Sequence, residues 1–275
     1  MKPALSQVCS LNAPLEKDVE DFAAGACRAI ELWVGKLDNY LERHSETDLT
    51  ELLKRHDVAA PVISFQGGLF TSQGEFRREH WAAFSSRLAQ CQRLGVGTLV
   101  VAGDIGGPLE QQDLDRVRVS LDQAAALARN HGVRLALEFQ SRAAFANNLQ
   151  TAAALVAETA SPHLGLCFDA FHYYTGPSKA EDFGYLSPDN LFHVQLCDLA
   201  GMARELATDA DRILPGDGDF QLAPLIERLR EIGYGGYVSV ELMNPQIWRI
   251  APRQFGEVAM TALRKILGQA SMGSA

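Results

Sequence analysis

Four oxygen-bearing side chains interrupt or directly follow apolar, strand-like segments, each near the segment's carboxyl end. In chain order they are Glu138, Asp169, Gln195 and Glu241. An ionised carboxylate in such a segment is costly to bury unless a cation or a proton compensates it. Three carboxylates that converge would repel one another without a cation. Carboxylates with an amide carbonyl form a hard ligand set that suits Mn²⁺ or Mg²⁺, with Co²⁺ and Zn²⁺ as further candidates. The pattern therefore predicts a divalent-metal site.

Each of these residues also has a structural explanation when it is taken alone. A glutamate in a strand is often held by an ion pair, and Asp169 could cap the segment that follows it. Gln195 could be a hydrogen-bonded core amide, and the nearby His193 a packed core histidine. The metal site is favoured because the residues recur on four consecutive strand segments.

The segments that carry these residues belong to a series of eight apolar runs. The runs are Leu5–Cys9, Ile30–Val34, Ala60–Phe65, Thr98–Ala102, Arg134–Phe139, Leu164–Phe168, Leu191–Leu196 and Tyr237–Leu242. Continuous apolar runs are typical of parallel strands buried on both faces. Active sites on closed barrels of such strands lie at the carboxyl ends of the strands.

Segments with helical spacing lie between the runs. They are Leu15–Ile30, Leu49–His56, His80–Leu94, Leu114–His131, Ala146–Thr159, Leu222–Ile232 and Phe255–Leu267. Gly95, Gly132 and Gly233 follow three of them, where a left-handed residue commonly ends a helix.

The alternation of strands and helices predicts an α/β fold, a single-domain (β/α)8 TIM barrel over residues 1–267 with a frayed tail at 268–275. A doubly wound open sheet is the alternative, but the first run lacks the glycine-rich sequence that usually follows the first strand of that fold.

Composition limits the partners and the compartment. The 275 residues include 25 basic and 34 acidic side chains, a net charge of −9, which argues against nucleic acid and anionic membranes. No apolar run is long enough to span a bilayer. The five cysteines are scattered and form no CxxC pair, which predicts buried thiols in a reducing cytoplasm.

Several motifs resemble the xylose isomerase-like (β/α)8 superfamily over essentially the whole chain. The most specific are Leu137-Glu138-Phe139, Phe168-Asp169-Ala170-Phe171-His172, His193-Val194-Gln195, Leu214-Pro215-Gly216-Asp217-Gly218 and the Gly233–Tyr237 segment before Glu241. The resemblance implies a Glu-Asp-His-Glu metal site, a substrate contact by His172, and an arginine on the substrate, for which Arg204 and Arg212 are both candidates. It also implies a homodimer or tetramer.

One ligand position departs from the pattern of this superfamily. The usual strand-seven motif is His-x-His, whereas here Gln195 stands at the second histidine. A glutamine there is similar to bacterial 3-dehydroshikimate dehydratases, which also carry a loop like Pro215–Gly218. The substitution replaces a nitrogen ligand by a harder oxygen, so it bears on the reaction subclass rather than on the metal.

The resemblance implies an isomerase or epimerase that acts on a keto-sugar or cyclitol by proton transfer through a metal-stabilised enediolate. Glu138 and Glu241 are the expected acid/base pair as well as ligands. A dehydratase of the 3-dehydroshikimate or inosose type is the alternative. Two rivals are an abasic-site endonuclease, disfavoured by the acidic charge and the scarcity of histidine, and a ligand-binding barrel without catalysis.

Overall fold

Eight parallel strands form the centre of the structure. The computed structural model describes residues 1–269, in which the strands follow the closed order β1 to β8. They are β1 (Lys2–Ser6), β2 (Ala29–Trp33), β3 (Ala59–Gln66), β4 (Thr98–Ala102), β5 (Arg134–Glu138), β6 (Leu164–Asp169), β7 (Leu191–Leu196) and β8 (Tyr237–Val240). The predicted (β/α)8 TIM barrel is confirmed. Most of the predicted tail, residues 270–275, lies outside the described residues.

Helices connect the strands. They are α1 (Leu15–Ala24), α2 (Val34–Leu41), α3 (Glu46–Arg55), α4 (Gly74–Leu94), α5 (Gln111–Asn130), α6 (Leu149–Thr159), α7 (Ala170–Thr175), α8 (Leu222–Glu231) and α9 (Pro252–Ile266). Short 3-10 helices occur at Gln7–Ser10, Ala180–Tyr185, Asp209–Asp211 and Ile247–Arg249.

The chain divides into two compact units. The central unit is Val62–His193, and the terminal unit combines Met1–Pro61 with the chain from Val194 onward. In the central unit β3, β4, β5 and β6 pair in that order. In the terminal unit the order is β2, β1, β8 and β7. Each unit therefore contains its own run of parallel strands.

The register of the central strands explains the position of Glu138. Glu138 pairs with Cys167 of β6, two residues after Ala136 pairs with Gly165. Ala136 lies in a buried cluster with Val62, Val100, Cys167 and Phe192. Because side chains alternate along a strand, Glu138 lies on the face of Ala136.

The predicted helix ends are largely correct. Gly95, Gly132 and Gly233 all have positive φ values, as a left-handed helix end requires. At the start of α3 the Ser45 side chain accepts a hydrogen bond from the Asp48 amide, and the Asp48 side chain accepts one from the Ser45 amide. This reciprocal pair satisfies two amides at the helix start.

Two elements near the amino terminus differ from prediction. The first strand was expected over Leu5–Cys9, but β1 is Lys2–Ser6 and a 3-10 helix follows it. The first helix was expected to reach Ile30, but α1 ends at Ala24. Ala26, with a φ of 63°, turns the chain there into β2.

All five cysteines are free and buried, as predicted. Within the described part of the chain, every helix is either too short or too polar to cross a membrane.

Candidate active site

Glu138, Asp169 and His172 form a buried group in the central unit, which we call the central trio. One potential ligand atom from each lies within 4.8 Å of the others. His172 Nε2 is 3.3 Å from Glu138 Oε1 and 3.9 Å from Asp169 Oδ2. Glu138 and Asp169 end β5 and β6, where enzymes with this fold carry their active sites.

Asp169 has two structural roles at once. Its Oδ1 accepts a hydrogen bond of 2.6 Å from the Phe171 amide and so caps α7. Its Oδ2 is the atom near His172. The cap that the sequence suggested as an alternative is therefore present, and it fixes the carboxylate within the central trio.

The other side of the His172 ring faces a short polar chain. The Ser141 amide and hydroxyl both lie 3.4 Å from Nδ1. Thr175 Oγ1 donates to Ser141 Oγ at 3.0 Å. Because a backbone amide can only donate, its bond to Nδ1 favours the ring form that carries its proton on Nε2, toward Glu138.

Gln195 is the centre of a second buried group, in the terminal unit. Its Nε2 donates two hydrogen bonds of 2.8 Å, one to Glu31 Oε1 and one to Glu241 Oε1. Arg212 Nη1 donates to Glu241 Oε2 at 2.9 Å. We call Glu31, Gln195, Glu241 and Arg212 the terminal cluster.

The two candidate arginines lie in different environments. Arg212 is 1 % exposed and also contacts Asp209 Oδ1 through Nη2 at 2.7 Å. The Arg204 side chain is 61 % exposed and pairs with its neighbour Glu205. The structure therefore joins Arg212 to Glu241 and leaves Arg204 on the surface of its unit.

The Pro215–Gly218 loop is held by a buried carboxylate. Asp198 accepts hydrogen bonds from the amides of Leu199, Gly216 and Phe220 at 2.9 to 3.0 Å. A Cβ at Gly218 would lie 2.4 Å from Asp198 Oδ1, so the loop needs a glycine there. The backbone bridge between Asp198 and Ile213 fixes the chain directly after Arg212.

Glu31 is the residue of the terminal cluster that the sequence analysis did not single out. It is fully buried in β2, between Ile30 and Leu32. A carboxylate inside an apolar strand run is the same signal that pointed to Glu138. The signal was present but lay outside the four consecutive strands on which the metal argument rested.

Cys9 contacts the carboxyl end of β8. Its Sγ accepts a hydrogen bond from the Leu242 amide at 3.2 Å and lies 3.4 Å from the Val240 carbonyl. Burial raises the pKa of the Cys9 thiol well above its usual value, and nearby Glu241 raises it further. The thiol is therefore protonated at neutral pH.

Comparison with known proteins places this arrangement in context. Residues 20–265 match the family model described as xylose isomerase-like TIM barrel. This match covers most of the chain and includes every residue of the central trio and the terminal cluster.

Curated relatives include two kinds of enzyme. An inosose isomerase of Bacillus velezensis is 25 % identical over 280 residues, which cover 100 % of both chains. A 3-dehydroshikimate dehydratase of Pseudomonas aeruginosa is 26 % identical over 269 residues, which are 94 % of this chain and 40 % of that protein.

Solved structures share the fold. The IolI protein with a bound zinc atom superposes with a TM-score of 0.91 at 24 % identity, covering 99 % of this chain and 100 % of that one. A D-psicose 3-epimerase from Clostridium cellulolyticum has a TM-score of 0.78 at 18 % identity, with 97 % and 99 % covered.

Proposed function

The chain belongs to the xylose isomerase-like TIM barrel family, and from this we propose that it is a divalent-metal-dependent isomerase or epimerase of a keto-sugar or cyclitol. It is an enzyme of the sugar isomerase/epimerase-like class, and the relatives that it matches over nearly their whole length include inosose isomerases. The observation that carries the finer proposal is the buried central trio at the ends of two strands. An inosose, a ketone of a cyclitol, is the first substrate to test.

We propose Glu138, Asp169, Gln195 and Glu241 as the metal ligands. The donor set fits a divalent ion because its members are buried side chains that each supply an oxygen atom. His172 is the nearest alternative ligand, since it lies within the central trio. An oxygen-rich set favours Mn²⁺ or Mg²⁺, and the zinc of the IolI structure makes Zn²⁺ the competitor to test.

The chain's own residues supply the proton transfers. Glu138 and Glu241 exchange protons with the substrate carbon, and their burial limits competition by water. A bound divalent ion supplies positive charge that stabilises the negative charge developing on substrate oxygens. His172, with its proton on Nε2, orients or protonates a substrate oxygen.

We propose Arg212 rather than Arg204 as the arginine that assists the reaction. Its guanidinium lies 2.9 Å from Glu241 Oε2 and donates a hydrogen bond that holds this carboxylate in place. Arg204 is exposed on the surface of its unit, so it is a candidate only for contacts with a part of the substrate that reaches this surface.

A dehydratase is the second candidate, and Gln195 is the observation that favours it. Two 3-dehydroshikimate dehydratases are among the relatives that match this chain. In that reaction the same proton is removed, but a β-hydroxyl then leaves instead of a proton returning to carbon.

Incubation with candidate substrates in deuterium oxide separates these reactions. The purified protein, stripped of metal and reloaded with Mn²⁺, is incubated with inosose, a keto-hexose panel and 3-dehydroshikimate. Deuterium incorporation with a rearranged or epimeric product supports the isomerase. An ultraviolet-absorbing enone or aromatic product supports the dehydratase.

The metal requirement has its own control. Elemental analysis of the purified protein is expected to show about one divalent ion per chain, and the stripped protein is expected to be inactive. Full turnover by the stripped protein would refute the metal-dependent proposal. Metal binding without exchange or product from any substrate would indicate a binding protein.

A further inference from the structure

The hydrogen bonds of Gln195 determine which way its amide points. The amide nitrogen has two hydrogens, and both go to carboxylates, Glu31 and Glu241, at 2.8 Å each. A flipped amide would place its oxygen against two carboxylate oxygens. The orientation therefore follows from the chemistry of the neighbours: the amide nitrogen, not the oxygen, faces the two carboxylates.

Glu31 is a carboxylate inside a buried strand, where an uncompensated charge is unfavourable. It is 0 % exposed within β2, and its register partner is Ser6 of β1. Burying a carboxylate without compensation costs several kcal/mol. The hydrogen bond from Gln195 is one compensation for that cost.

A histidine at position 195 could not make the same contacts. A neutral imidazole has one N–H and one lone pair, so it can donate to one carboxylate while its other nitrogen binds a metal. Gln195 can donate to both carboxylates and still present its oxygen. Glu31 and Gln195 are therefore chemically matched.

We infer that Glu31 is a positioning residue that fixes the Gln195 amide and thereby makes this position an oxygen ligand that selects Mn²⁺ or Mg²⁺ over Zn²⁺. This inference rests on the proposed metal site. Glu31 acts through Gln195 rather than on the substrate. Its removal weakens metal binding only while Gln195 is present.

A double-mutant cycle tests this coupling by metal affinity alone. Glu31→Gln removes the charge but keeps an oxygen that accepts the hydrogen bond, whereas Glu31→Leu removes both. Mn²⁺ affinity is measured by titration of the stripped protein. Glu31→Leu is expected to bind Mn²⁺ about 10-fold more weakly than Glu31→Gln, the loss typical of a residue that orients a ligand. In a Gln195→Leu background the two are expected to agree within about 2-fold.

Metal selectivity is the second readout. The ratio of Zn²⁺ to Mn²⁺ taken up from an equimolar mixture is measured by elemental analysis. Gln195→His is expected to raise this ratio at least about 10-fold because imidazole is the softer ligand. Glu31→Leu is expected to raise it in the same direction and Glu31→Gln less.

The outcomes separate this inference from the proposed function. A wild-type protein that binds no divalent ion refutes the metal site itself. A wild-type protein that binds Mn²⁺, with Glu31→Leu equal to Glu31→Gln, refutes only the role of Glu31. An equal loss for Glu31→Leu with and without Gln195 refutes action through the amide.

A catalytic role for Glu31 is also distinguishable. If Glu31→Gln, fully loaded with Mn²⁺, loses more than about 1000-fold in kcat without a change in metal affinity, Glu31 acts on the substrate and the inference is wrong. If Glu31→Leu does not fold, Glu31→Ala repeats the cycle, since its smaller side chain leaves room for water. Thermal unfolding of each stripped variant checks the fold.

Discussion

The central trio and the terminal cluster both bury two carboxylates, but they compensate them differently. In the central trio Glu138 and Asp169 lie beside one imidazole, with His172 Nε2 at 3.3 and 3.9 Å from their oxygens. In the terminal cluster Glu241 pairs with a guanidinium, which is always charged. This difference suggests a division of labour. We expect the central trio to contribute more to metal binding, because its three potential ligand atoms lie within 4.8 Å of one another, and the terminal cluster to hold and orient its groups.

Glu241→Gln should give the largest effect on turnover. The variant keeps a similar side chain but removes the group that takes up a proton, so kcat is expected to fall about 1000-fold. The rate is measured at saturating Mn²⁺, with circular dichroism to confirm the fold. Glu231→Gln, an exposed glutamate paired with Arg228, is the matched control and should be unaffected. Wild-type turnover by Glu241→Gln in metal-free buffer would refute the proposed role.

Arg212→Met should give the largest effect on stability. It leaves Glu241 buried without the guanidinium, and breaking a buried pair costs about 3 kcal/mol. Arg204→Met removes an exposed pair and is expected to change the free energy of unfolding by less than about 0.5 kcal/mol. Urea unfolding measures both. Equal losses would contradict the contrast between the two arginines.

Asp169→Asn tests where the cation is needed most. Mn²⁺ affinity is expected to fall at least about 100-fold, more than for Glu241→Gln, because a ligand atom of Asp169 lies within 4.8 Å of those of Glu138 and His172. Titration of the stripped proteins measures the difference. A larger loss for Glu241→Gln would reverse the proposed division of labour.

Asp18 is a buried carboxylate outside both groups, and its cation, Lys36, belongs to the chain itself. Lys36 Nζ lies 2.5 Å from Asp18 Oδ2, yet desolvation raises the pKa of Asp18 from 3.8 to about 6. Between pH ~4 and ~6 the folded chain binds more protons than the unfolded chain, so this group's contribution to stability is present at low pH and lost as pH rises. The slope is at most about 1.4 kcal/mol per pH unit.

Urea unfolding at pH 4.5, 5.5 and 6.5 measures that slope. Asp18→Asn should remove it, whereas Asp21→Asn, which disrupts the pair with Lys17, should keep it. An unchanged slope in Asp18→Asn would show that another group titrates.

The strands predicted most accurately are apolar sequence runs whose residues are all buried in the structure. Thr98–Ala102 and Leu191–Leu196 match β4 and β7 in full, because these runs are buried throughout. Near the amino terminus Val8 and Cys9 are equally buried but lie in a 3-10 helix. Apolar character alone does not distinguish these conformations.

Only part of the site was predicted, because a sequence shows residue types but not which residues hydrogen-bond to one another. Glu138, Asp169 and His172 were singled out and lie together. Their use as metal ligands or substrate contacts remains a prediction. The contacts of Gln195 with Glu31 and of Arg212 with Glu241 join residues distant in sequence, so only the fold reveals them.

The three hydrogen bonds that Asp198 accepts from backbone amides have a consequence for engineering this enzyme. The two ends of the segment between Leu199 and Arg212 lie close together, because Asp198 holds Leu199 and its backbone bridges to Ile213. New lengths or sequences inserted between them would reshape that edge of the enzyme while the anchor at Asp198 stays in place.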